Sequence, residues 1–241
     1  MKVKKIIRKI LFWLLMAVTV VALTVGILYT VKGWNLYRAA LEDCSIEEKV
    51  ASIQNEASYT PLSDLPQIYK DAVLAAEDHR FYSHGGVDPI ALARAIWNNV
   101  RTFSLREGGS TITQQLAKNI YFTQSREITR KIAEMFMAWK LEKELEKDEI
   151  LELYINCIYY GSGYYCVYDA AQGYFDKEPW ELSNYECTLL AGLPNAPSVY
   201  DPTVNPELAE QRRQQVLEKM VRHGYLTEAE AKEIQNEKNV V

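Results

Sequence analysis

The chain has 241 residues, 48% hydrophobic and 24% charged, which suits an ordinary folded protein with enough length to bury one good core. Its net charge of -5 gives no reason to expect nucleic acid, since a polyanion binder carries a basic stripe along a whole face. Basic residues are therefore read locally.

The first local cluster is Lys2, Lys4, Lys5, Arg8 and Lys9. A run without charge follows from Ile10 to Val31, closed by Lys32. At ~1.5 Å per helical residue it spans a hydrocarbon core of about 30 Å. A cleaved secretory signal has a shorter apolar stretch and a small-residue cleavage site, and residues 26–30 offer no such site. An uncleaved transmembrane helix over residues 10–31 is expected. The positive-inside rule then puts residues 1–9 in the cytoplasm and everything after about Trp34 outside. Residues 32–60 read as a linker or membrane-proximal segment, and residues 61–241 as one domain.

Within that domain Ser63-Asp64 and Pro66 open a helix with Ile68, Ala72, Val73 and Ala76 on one side, running into Glu77. Gly85-Gly86 breaks the chain, and Asp88-Pro89 caps and starts the next helix. Gly108-Gly109 precedes Ser110-Thr111, where Thr111 and Gln114 fit a capping box for a helix through Leu116 and Asn119. Ile128, Ile132, Met135, Phe136 and Trp139 recur at helical spacing and are expected to face the core. Residues 140–149 are nearly all charged with mixed signs, a solvated helix face. Asn205-Pro206 starts another helix, and Thr227 with Glu230 caps a last one. Strand-like alternation is scarce, so the fold class is mainly α. Cys44, Cys157, Cys166 and Cys187 show no metal-type spacing, the three His are scattered, and pairing of Cys157 with Cys166 is left open.

Three stretches could carry chemistry. Residues 77–88 place an acid at the end of an apolar helix before a His-rich turn; an acid against apolar walls suits general acid or base work, and a capping loop reads the same way. Ser110 and Thr111 put hydroxyls and a helix N-terminus together, with Gln114, Gln115 and Lys118 on the next turns; the spot is either an anion site or an ordinary helix start. Arg126, Arg130 and Glu134 share a helix face, with Lys131 alongside, as a diphosphate clamp or as a surface ion-pair ladder.

The order of the strings is more specific than any one of them. EDHRFYSHGGVD (77–88), GGSTITQQLAKN (108–119), RKIAE (130–134), KDEILELYIN (147–156) and LAGLPNAP (190–197) resemble the five motifs of the peptidoglycan glycosyltransferases, the family 51 glycosyltransferases. That family includes the N-terminal domains of class A penicillin-binding proteins and monofunctional enzymes. The sequence has neither Ser-x-x-Lys nor Lys-Thr/Ser-Gly strings of a transpeptidase, so the monofunctional kind is expected.

The resemblance implies a mainly α, lysozyme-like glycosyltransferase domain with a small membrane-proximal lobe after one N-terminal transmembrane helix. It implies polymerisation of lipid II into β-1,4 glycan strands with release of undecaprenyl diphosphate, on the extracytoplasmic side of the cell membrane. Glu77 would be the base that removes the acceptor hydroxyl proton, and Glu134 the second essential acid, organising the cationic row. Lys118, Arg126, Arg130 and Lys131 would gather around the diphosphate. Ser110, Thr111, Gln114 and Gln115 would line the cleft, Arg94 would touch substrate, and Glu152, Tyr154 and Asn156 would hold the cleft wall. Residues 99–125, with Val100, Phe103, Leu105, Ile120, Tyr121 and Phe122, would include a membrane-dipping region or contribute to the core. Lipid II, the nascent strand and the membrane are the expected partners, without nucleic acid; transpeptidases and division or elongation proteins are left open. No cofactor is expected to be required, and Mg²⁺ or Mn²⁺ is left open as an aid to the diphosphate.

The sequence departs from the family pattern at Ala133, where Lys is common, and at Cys166 and Asp176, where Gly is usual. The first should weaken diphosphate binding, and the others put local loop geometry in doubt. Two rivals remain: a lysozyme-like hydrolase cutting glycan with Glu77 as acid, and a non-catalytic protein that binds lipid II or division partners.

Overall fold

A computed structural model describes residues 2–102, 108–122 and 127–237. These residues are almost entirely helical, and their one strand-type pairing is an isolated bridge between Gly161 and Tyr164.

Helix α1 (Lys2–Asp43) does not stop at the end of the apolar run. Residues 32–43 continue it because no proline intervenes, and α2 (Ile46–Gln54) follows behind the capping box of Ser45 and Glu48, so much of the expected linker is helical. At ~1.5 Å per residue α1 is about 60 Å long, twice a hydrocarbon core. It is long and apolar enough to cross a membrane, and among the described residues no other part of the chain covers its apolar window.

The rest builds one core from α3 (Gln67–Glu77), α5 (Ile112–Tyr121), α6 (Ile128–Glu144), α7 (Lys147–Ile155), α8 (Val167–Phe175), α9 (Asn184–Gly192) and α10 (Pro206–Arg222). Helix α3 packs on α9 and α10, α5 lies between α6 and α7, and α11 (Glu228–Asn236) closes against α9 and α10. Helix α3 buries Tyr69 and Ala72 through Ala76 on nearly every side, so its last residue, Glu77, is delivered from a rigid element. Helix α4 (Pro89–Thr102) stays at the surface, with only Ala95 buried.

Helix α6 corrects the expected core stripe. Its core face is Ala133, Met137, Ala138 and Leu141, all fully buried, whereas Ile128 is 62% and Trp139 50% exposed. The larger residues face α1: a Cβ on Gly33 would stand 2.6 Å from the Ile132 side chain, and Trp34 and Tyr37 meet the Phe136 ring. Ala133 and Ala138 let α6 lie close to the core beside Met137 and Leu141, so periodicity found the helix and packing chose its faces.

Ala133 is in that core, so the lack of a lysine there takes no cation from the surface that α6 presents elsewhere. Cys166 has extended backbone, φ -147°, and caps α8 through Sγ, so this position needs no glycine. Asp176 takes the left-handed conformation, φ 53°, at the end of α8, a role that glycine fills most easily and aspartate tolerates. All four cysteines are free thiols.

Candidate active site

The turn after α3 is fixed from both sides. Asp78 accepts from the Ile112 backbone N–H at 3.1 Å, at the start of α5, and hydrogen-bonds His84 Nε2 at 2.8 Å. Asp88 takes Arg80 Nε at 3.0 Å and caps α4 by accepting from the Ile90 and Ala91 N–H groups at 2.9 and 3.2 Å. Thr111 donates to the Gly86 carbonyl at 2.7 Å and shares a reciprocal capping box with Gln114. Most polar residues of this turn are thus structural, which leaves Glu77 as its acid facing the cleft.

That cleft has a volume of about 1130 Å³ and is bounded by α3, α4, α5, α6 and α10. Glu77, Arg94, Ser110, Gln114, Gln115, Lys118, Arg130, Lys131 and Glu134 all line it, so nine of the expected residues converge across four helices and a loop. Thr111 does not line it; the side chain is 2% exposed and engaged in capping. Arg126, Phe103 and Leu105 lie outside the described residues. Ile120, Tyr121 and Phe122 pack on the core, while Val100 is 66% exposed.

Glu77 is not set against apolar walls, as the sequence suggested. Gln115 Nε2 donates to its Oε2 at 2.8 Å, and Arg212 Nη2 stands 3.8 Å from its Oε1. Gln115 is itself held by the Tyr154 hydroxyl at 3.4 Å. Glu152 and Asn156 lie behind, where Glu152 accepts from the Leu62 N–H at 2.6 Å and Asn156 brackets Thr60 with two bonds of 2.8 Å. They hold the wall, and Tyr154 connects it to the cleft.

Glu134 is buried and pairs with both Arg130 and Lys131, the latter at 3.0 Å. Lys131 also donates to Ser110 Oγ at 2.7 Å, joining α6 to the loop before α5. Lys118 makes no ion pair among the described residues. Burial holds its ammonium below the ordinary lysine value, with Arg130 and Lys131 adding to the effect against the pull of Glu134 and Glu77.

Sequence reading missed the opposite wall. Arg212, Gln215, Lys219 and Arg222 line the cleft from α10, at the i, i+3, i+7, i+10 spacing of one helix face, and that periodic signal was present in the sequence. Lys219 donates to the Ala76 carbonyl at 2.6 Å, beside Glu77. His223 stacks on His79 with ring centroids 3.8 Å apart, and burial lowers the pKa of both. The lining holds seven cationic side chains against two acids, inside a chain of net charge -5. This arrangement concentrates polyanionic ligands next to one carboxylate.

Divalent ions need several oxygen ligands. Among the described residues no three His, Cys, Asp or Glu side chains converge, and Glu134 is already engaged by two cations.

A family model described as Transglycosylase matches residues 46–221. Penicillin-binding protein 1A of Neisseria flavescens is 48% identical over 174 residues, covering 72% of this chain and 22% of that protein. Its namesake in Aquifex aeolicus is 47% identical over 178 residues, covering 74% and 24%. A crystal structure of penicillin-binding protein 1A from Haemophilus influenzae aligns with a TM-score of 0.45 at 27% identity, over 76% of this chain and 18% of that one. The chain spans about a quarter of the length of the curated relatives it matches. With the family match running from the start of α2 almost to the end of α10, and so holding all of the cleft lining except Arg222 and His223, the chain belongs to the transglycosylase family.

Proposed function

We propose that the chain is a peptidoglycan glycosyltransferase that polymerises lipid II into β-1,4 glycan strands and releases undecaprenyl diphosphate. The observation that carries the reading is the pairing of one cleft carboxylate, Glu77, with seven cations around the same space. A transferase that displaces a diphosphate needs both, a base for the incoming hydroxyl and positive charge for the leaving group.

In this reading the acceptor hydroxyl gives its proton to Glu77 while its oxygen forms a bond to the anomeric carbon of the donor. The bond from that carbon to the diphosphate breaks, and the electron pair leaves with the diphosphate. Lys118, Arg130 and Lys131 receive the growing charge, and Glu134 keeps the last two from repelling each other. Lys118 answers most strongly, because its charge has no ion-pair partner among the described residues until an anion arrives. Helix α1 crosses the membrane with its basic end in the cytoplasm and keeps the cleft beside the bilayer, where a lipid-linked substrate is found. The proposal contains no cofactor.

Family membership and the cationic cleft both weigh against the hydrolase, which has no diphosphate to hold. The test is incubation of the detergent-solubilised full chain with labelled lipid II, with products read before and after muramidase digestion. Muramidase-sensitive polymer supports the proposal. Cleavage of preformed glycan without polymer assigns the hydrolase instead, and binding without either product assigns the non-catalytic protein.

A further inference from the structure

Among the described residues, three cleft-lining side chains hold a buried polar atom without a hydrogen-bond partner, Arg130 Nε, Glu77 Oε1 and Arg212 Nη2, and the last two atoms face each other across 3.8 Å. Their side chains are only 8% and 7% exposed. That separation is too long for a direct hydrogen bond, and a buried unsatisfied pair of this kind calls for an account.

Neither side chain is loose. Glu77 is tied through its other oxygen to Gln115. Arg212 donates through Nε to the Gly192 carbonyl and through Nη1 to Gln215, both at 3.2 Å, and its guanidinium lies over the Tyr200 ring, 5.7 Å from the centroid. Gly192 makes room for it, since a Cβ there would stand 3.0 Å from Arg212 Cγ. The protein thus fixes one acceptor and one donor and leaves both unused, while the other polar atoms of the two groups are engaged.

We infer that these two atoms form the cradle for the attacking hydroxyl of the acceptor sugar, which accepts from Arg212 Nη2 and donates to Glu77 Oε1. The inference rests on the glycosyltransferase reading above and adds a residue to it. The 3.8 Å separation is one that a single oxygen at about 2.8 Å from each atom bridges. A hydroxyl both donates and accepts; an ether oxygen cannot satisfy Glu77, an ammonium cannot satisfy Arg212, and a phosphate is repelled by the carboxylate. The Arg212 bond directs one lone pair of the oxygen, so the proton points at Glu77 and another lone pair is free for the anomeric carbon. As the proton moves to Oε1 and the new C–O bond forms, Arg212 steadies the partial negative charge on the oxygen. Arg212 is thereby a catalytic residue.

The test compares wild type with Arg212→Gln, using lipid II as substrate and a 4-deoxy lipid II as inhibitor, which lacks the attacking hydroxyl. Arg212→Gln should lower kcat/KM for polymerisation by roughly tenfold to a hundredfold, the loss expected for one charge-assisted hydrogen bond. The inhibition constant of the deoxy compound should change by less than about twofold, since that bond is already missing from its complex. Equal losses in both quantities, or an unchanged kcat/KM, overturn the inference. If Arg212→Gln does not fold, Arg212→Lys is measured the same way and must show the same split. Failure of the wild type to polymerise at all is a separate outcome, and it removes the glycosyltransferase reading itself.

Discussion

Glu77 and Glu134 are carboxylates of one cleft with different surroundings. Glu134 is enclosed by Arg130 and Lys131, whereas Glu77 is oriented by Gln115 and keeps one oxygen free. Glu134→Gln leaves two cations without their counter-charge. We expect it to lower stability by about 3 kcal/mol, the low end for breaking a buried pair because the cleft is open to water, and to weaken polymerisation; chemical denaturation and the activity assay read these effects separately. His84 gives a prediction of definite sign. Burial lowers its pKa, but the Asp78 hydrogen bond and the Gly85 carbonyl outweigh burial and leave it raised. A raised histidine stabilises the fold fully below its unfolded value of about 6.5 and loses that contribution as pH rises through the folded value. The gap in Tm between wild type and His84→Gln should therefore be larger at pH 6 than at pH 8.5; an equal gap at the two pH values contradicts the assignment.

Helix starts were legible in the sequence because capping is local. Thr111 with Gln114, Thr227 with Glu230, and Asp88 before Pro89 all cap as their spacing suggested. What could not be read was which neighbour each helix meets. The Ile128 to Trp139 stripe is periodic whether it faces the core or α1, and only the packed structure decides. Arg212 and Lys219 were missed for a related reason, since charge on one face of a helix reads as solvation until another element closes over it. Gly86 shows what close approach requires. A Cβ there would stand 2.5 Å from the Ala138 backbone carbon, and helix backbone cannot shift as a side-chain tip can. Gly86→Ala should cost about 1 to 3 kcal/mol in denaturant unfolding, through loss of the fit between this turn and α6. An unchanged midpoint contradicts that tight packing.

Over the whole molecule charge is segregated: a chain of net charge -5 carries seven cations around one cleft, and its long apolar helix packs directly on α6, which supplies Arg130, Lys131 and Glu134. A lipid-linked diphosphate suits both features, since its tail stays in the bilayer while its headgroup meets the cations. The five strings that suggested the family lie far apart in sequence, and the fold brings four of them around this one space, with KDEILELYIN forming the wall behind. The cations should bind substrate whether or not the base works. The most direct test therefore measures lipid II binding and polymer formation side by side in wild type and Glu77→Gln. Lipid II binding retained within a few-fold, with muramidase-sensitive polymer lost, is the predicted result. Polymer formed by Glu77→Gln at the wild-type rate would contradict the assignment of Glu77 as the base.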